Sequence, residues 1–136
     1  MAKPRRQDPL DLTGDWMGLY SYPGETPPTP FRATVEDSAG LIAGRTRETI
    51  AFANDVRQDL DASVAGRRDG RAVTFLKTYL GLRPGYDVVS YAGEVSADGA
   101  EIDGRWTIEG KVSGPFLMIR AGDAAVYGAA VVSARA

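Results

Sequence analysis

Neither cysteine nor histidine occurs anywhere in the 136 residues. Without cysteine there is no disulfide framework, no thiolate nucleophile and no zinc ribbon. Without histidine there is no Ser-His-Asp triad, no imidazole proton shuttle and no histidine-ligated haem. Charge of neither sign dominates: 16 Lys+Arg against 18 Asp+Glu leave a net −2, which argues against a dedicated nucleic-acid partner. No apolar run approaches the ~20 residues of a membrane span. The basic start Met1-Ala2-Lys3-Pro4-Arg5-Arg6 is followed by no apolar stretch, so a secretory signal is not expected and a cytoplasmic location is. No carboxylate cluster has metal-ligand spacing and no phosphate-cradling glycine loop occurs, so neither metal nor cofactor is expected.

What the chain does have is turn formers, 16 Gly and 8 Pro, and between them short runs of period two. Trp16, Gly18, Tyr20 and Tyr22 share a face. Phe31, Ala33 and Val35 alternate with Arg32, Thr34 and Glu36. Ile42, Gly44, Thr46 and Glu48 form the next set, then Leu60, Ala62 and Val64, then Val73, Phe75, Lys77 and Tyr79. Val89, Tyr91 and Gly93 follow, then Ile102, Gly104, Trp106 and Ile108, and finally Phe116, Met118 and Arg120. Strict alternation in short runs is the mark of half-buried strands.

Turn chemistry separates the runs. Pro23–Pro30 reads as a proline-rich loop and Asp37-Ser38-Ala39-Gly40 as a short turn. Asp69-Gly70 suits a two-residue type I′ hairpin, which needs positive φ at both central residues. Pro84-Gly85, Asp98-Gly99 and Ser113-Gly114-Pro115 punctuate the remaining connections. The less regular Thr49–Gln58 is expected to cover one barrel end as a short helix or flap. The fold expected is all-β: an eight-stranded antiparallel up-and-down β-barrel, because closure is what removes sheet edges. Residues 1–10 read as a flexible tail, 11–122 as the barrel, and 123–136 as an extension forming either a ninth strand or a short outer helix.

Leu12-Thr13-Gly14-Asp15-Trp16 at the first strand, and Phe116-Leu117-Met118-Ile119-Arg120 at the last, resemble the two ends of a calycin barrel, the lipocalin and avidin type. That resemblance implies that Trp16 closes one barrel end and Arg120 packs across it. The chain is similar to avidins also at Glu101–Ile108, but carries Gly18 and Thr46 where biotin binding needs an asparagine and a tyrosine. Lacking histidine, it departs from haem-binding nitrobindin-type barrels as well. Its whole pattern, Gly14–Tyr20, Phe75–Tyr79, Tyr91–Gly93, Gly104–Ile108 and Phe116–Arg120, most resembles a branch of uncharacterised bacterial proteins. That likeness implies a fold and no activity.

If Trp16 faces inward, the period of two sends Tyr20, Glu48, Phe75, Lys77, Tyr79, Tyr91 and Trp106 inward too. These are the candidate ligand-binding residues. A charge on an apolar face is costly unless paired, so Lys77 is the most informative position, and Glu48 is its natural partner. The alternative keeps the Lys77 amine in water at the barrel mouth with its stem covering apolar surface. Arg67-Arg68-Asp69-Gly70-Arg71 reads as a solvated hairpin tip rather than a nucleic-acid site.

Three functions are consistent with this pattern. The first is a binding module holding an apolar or amphipathic small molecule in a cavity on the order of hundreds of Å³. The second is a cofactor-free isomerase or lyase with Glu48 as acid/base and Lys77 as electrostatic stabiliser. The third is a protein-interaction barrel with a packed core, contacting its partner through Tyr22, residues 23–30 and residues 49–58. The chain is expected to act as a monomer or homo-oligomer.

Overall fold

The computed structural model describes residues 10–24, 27–51, 57–81 and 88–121. They form eight strands: β1 (Gly14–Tyr20), β2 (Thr29–Ser38), β3 (Leu41–Ala51), β4 (Arg57–Asp69), β5 (Ala72–Tyr79), β6 (Val89–Val95), β7 (Glu101–Ile108) and β8 (Val112–Arg120). Each pairs antiparallel with its neighbours in sequence, and β1 pairs with β8 from Trp16↔Arg120 to Tyr20↔Phe116, closing the barrel. The interior is what the alternation demands. Phe31, Ala33 and Val35 are buried while Arg32, Thr34 and Glu36 are exposed, and the same phase runs through the other strands.

Aromatic rings fill the interior by lying over glycines on adjacent strands. A Cβ added to Gly18 would meet the Phe31 ring at 2.2 Å, and one on Gly104 would meet the Ala92 carbonyl at 2.0 Å. These glycines permit close approach of neighbours rather than positive φ. Phe75 stacks on Tyr91 with centroids 4.7 Å apart, and Phe116 meets Tyr91 edge-on at 5.0 Å.

The turns depart from expectation in instructive ways. Asp69 pairs with Ala72, so the two-residue loop is Gly70-Arg71, and positive φ is confined to Gly70. That is the type II′ pattern with glycine first, not type I′. The loop with positive φ at both positions is Ala39-Gly40, at 53° and 94°. Ala39 tolerates it because Asp37 Oδ1 accepts from the Gly40 amide at 2.8 Å and anchors the turn. Ser113-Gly114-Pro115 is no turn: it lies inside β8, and the last hairpin turns at Glu109-Gly110-Lys111, with Gly110 at φ 74°. Its carbonyl accepts from the Ser21 amide, and Pro115 is accommodated there because the Ser21 carbonyl, which a backbone N–H at 115 would meet, accepts from Trp106 Nε1 instead. The described residues of the expected 49–58 flap are strand, Thr49–Ala51 ending β3 and Arg57–Gln58 opening β4; residues 52–56, Pro84-Gly85 and the 123–136 extension lie outside the described residues. Thr29 and Pro30 belong to β2 rather than to the preceding loop.

The up-and-down order gives the barrel two unlike ends. One carries the β2–β3, β4–β5 and β6–β7 hairpins and is plugged. There Arg120 lies 4.5 Å over the Trp16 ring and donates to the carbonyls of Asp11, Thr13 and Gly99 at 2.8 to 3.2 Å. Beside it Asp37 Oδ2 accepts from Arg68 at 2.7 Å and from the Leu12 amide at 3.0 Å. Burial pushes the Asp37 carboxyl up, but Arg68 and the Leu12 and Gly40 amides outweigh it, so it titrates below its ordinary value. The other end carries the remaining four connections.

Candidate functional site

Toward that second end, Tyr20 on β1, Glu48 on β3 and Tyr79 on β5 face inward, with Lys77 one inward step deeper than Tyr79. Between β3 and β5 runs β4, which presents Ala62 and Val64 in the paired rows: Thr46↔Ala62↔Tyr79 and Gly44↔Val64↔Lys77. Small side chains on the intervening strand leave the lumen open for Glu48 and Lys77 to meet. Lys77 Nζ lies 3.1 Å from Glu48 Oε1, and their side chains are 2% and 0% exposed. The amine is therefore not at the mouth in water. The Tyr79 hydroxyl donates to Glu48 Oε1 at 3.1 Å, and the Tyr20 hydroxyl donates to Glu48 Oε2.

The ammonium also sits among four rings. Its Nζ lies 4.9 Å from the centroids of Tyr20 and Tyr79, 5.4 Å from Tyr91 and 5.6 Å from Phe31. This is the geometry of an aromatic cation cage, occupied by the chain's own lysine. Burial lowers the Lys77 pKa and the Glu48 charge opposes that shift, burial prevailing. Burial, then the Glu48 charge, raises the hydroxyls of Tyr20, Tyr79 and Tyr91 far above their usual value. All three phenols thus keep their protons, and two of them serve as donors to Glu48.

Of the remaining sequence candidates, Tyr91 is itself a cage ring and Phe75 stacks on it. Trp106 lies toward the mouth, its Nε1 donating to the Ser21 carbonyl at 3.0 Å. Edge contacts join it to Tyr20 at 6.0 Å and to the half-exposed Tyr22 at 4.8 Å. Trp106 thus ties down the chain leaving β1 and does not touch the ion pair. Two residues outside the candidate set join the site. Phe31 closes the cage, a role set by its cross-strand register with Gly18, which sequence alone does not show. Thr46, buried on the same face as Glu48, has a hydroxyl with no hydrogen-bond partner among the described residues.

Toward the plug the interior leaves about 20 Å³ free, bounded by Phe31, Thr46, Phe75, Lys77, Tyr91 and aliphatic side chains. That is room for about one water, not the hundreds of Å³ expected of a ligand pocket. Both oxygens of Glu48 are taken, so an acid–base role would require releasing a phenol or the amine. Among the described residues no group of three or more Asp and Glu gathers as a metal site, and no helix is long and apolar enough to cross a membrane. No family model, no curated protein and no solved structure matches the chain.

Proposed function

We propose that this barrel is a binding module for a small amphipathic molecule, held at the Tyr20–Glu48–Lys77–Tyr79 cluster with its apolar part among the surrounding rings and aliphatic walls. One observation carries the reading: a fully buried, hydrogen-bonded ion pair inside a mainly apolar barrel. Apolar residues of similar volume would hold such a core as well or better, so stability alone does not account for Lys77 and Glu48. Calycin-type architecture, which the terminal Trp16 and Arg120 resemble, supports the same reading by analogy. The test is purification of the full chain under native conditions, followed by native mass spectrometry and uptake of a fluorescent lipid probe. A retained small molecule or saturable uptake supports binding. Only unliganded mass with no uptake removes it.

A second reading draws on the small free volume. There the interior is a packed core in which the ion pair specifies strand register, and function lies outside, with Tyr22, 45% exposed, in the contact surface. Light scattering showing a stable oligomer, together with no uptake, favours that reading.

A further inference from the structure

On the outside of the barrel, every described outward position of β2, β3, β5, β6 and β7 is exposed. The seam between β1 and β8 is different. Met17-Gly18-Leu19 and Phe116-Leu117-Met118-Ile119 are unbroken apolar runs, the pattern of strands covered on both faces. Met17 pairs with Ile119, and Leu19 with Leu117. All four point outward, Leu19 buried and the other three half-buried. The outer face of the seam is therefore a strip of hydrocarbon.

The register continues this strip to a charge on either side. Met17 also pairs with Arg32 on β2, and Ile119 with Glu101 on β7. One row across the outside thus reads Arg32, Met17, Ile119, Glu101. Both charges are exposed, and neither has an ion-pair partner among the described residues. A row with a cation at one end, hydrocarbon between and an anion at the other is self-complementary. A two-fold axis along the seam, between two copies set face to face, keeps height along the strands and exchanges left for right. Arg32 then meets Glu101 of the second copy at both flanks, and hydrocarbon meets hydrocarbon between them. The two flanks stand three strand spacings apart, ~14 Å, and these long side chains reach across the gap that barrel curvature opens there. The exposed Leu76 offers no such match: its row neighbours are Ala65 and Ser90, with no charge beside it.

We infer that the outer face of the β1–β8 seam is a docking face for a second copy of this chain, two-fold related, with Arg32–Glu101 pairs closing both flanks. The inference does not depend on what the interior binds. A face drawn from four strands offers fewer than the roughly 20–30 residues a side of a standard interface, so the dimer should be weak and reversible. Sedimentation velocity of the full chain at low salt, from micromolar to near-millimolar concentration, tests it. A concentration-dependent passage from monomer to dimer is expected. Arg32→Glu and Glu101→Arg each set like charges against one another at both flanks, and should weaken self-association about tenfold or more. Mixed together, the two variants should associate more tightly than either does alone, because every flank then joins opposite charges. That recovery also shows that both variants fold. Leu76→Glu, on another face, should change nothing. A chain monomeric throughout overturns the proposal. So does a dimer indifferent to both reversals, a mixture no tighter than its components, or a dimer lost with Leu76→Glu.

Discussion

Lys77→Met is the perturbation that asks most of the interior. At 3.1 Å the attraction between Lys77 and Glu48 is about 5 kcal/mol at an effective dielectric constant of 20. Desolvating each ion costs several kcal/mol, so the pair as a whole contributes little net stability. Removing one partner is different, because the other ion's desolvation is then uncompensated. Lys77→Met leaves Glu48 with only the Tyr20 and Tyr79 hydroxyls, and should cost about 3–5 kcal/mol. Glu48→Gln leaves the ammonium with an amide oxygen and four rings, worth about 2 kcal/mol when desolvated, and should fall at the lower end of that range. In the double variant both charges are gone. The introduced amide can pair with the two phenols through its oxygen and its NH₂, and the introduced thioether packs its sulfur against the rings. That protein should lie within about 1 kcal/mol of the parent, and the coupling should be about 4 kcal/mol or more. Urea unfolding of the four proteins at pH 7, with unchanged m-values, measures this cycle. Single variants costing under about 1 kcal/mol and adding without coupling would refute a dry, paired interior.

Three further outcomes follow from the same geometry. Tyr20, Tyr79 and Tyr91 hold their protons more tightly folded than unfolded, so stability should be fully present below about pH 10 and fall as pH rises beyond it. Absorbance at 295 nm should show these three ionising only as the barrel unfolds; reversible ionisation of all six tyrosines near pH 10 would contradict it. Arg120→Lys keeps the charge but loses the planar fork that reaches three carbonyls, and should lower stability by about 2 kcal/mol in thermal melts; an unchanged melting temperature counts against the plug. Gly104→Ala drives a Cβ into backbone, whereas Gly18→Ala meets the tip of the Phe31 ring. The first should therefore be the more damaging, and only the second should recover when Phe31 is shortened to Leu; equal losses without rescue would argue against the ring-over-glycine packing.

Strand alternation is a local property, and it was legible wherever a run of three or more residues kept phase. The inward set Tyr20, Glu48, Lys77, Tyr79 and Tyr91 follows from it once Trp16 is placed inside. Turn registers were less legible. Shifting the hairpin from Asp69-Gly70 to Gly70-Arg71 changes which residue needs positive φ, and only the pairing Asp69↔Ala72 decides that. Glycine and proline misled at Ser113-Gly114-Pro115, where the Ser21 carbonyl opposite the proline accepts from Trp106 Nε1 and so needs no backbone donor from it.

The amino-acid sequence by itself determined the class of fold, the two faces of each strand, and the restriction of titratable interior chemistry to the phenols, carboxylates, amines and guanidinium of Tyr, Glu, Lys and Arg. Period two and the absence of cysteine and histidine suffice for that. Tertiary structure alone decided that Glu48 and Lys77, 29 residues apart, meet at 3.1 Å. It also decided that four rings from four strands enclose the amine, that the Thr46 hydroxyl has no partner among the described residues, and that little room remains between cage and plug. Those outcomes depend on barrel closure and on small residues along β4, which set distances across the lumen, and no local pattern along a single strand carries a distance between strands.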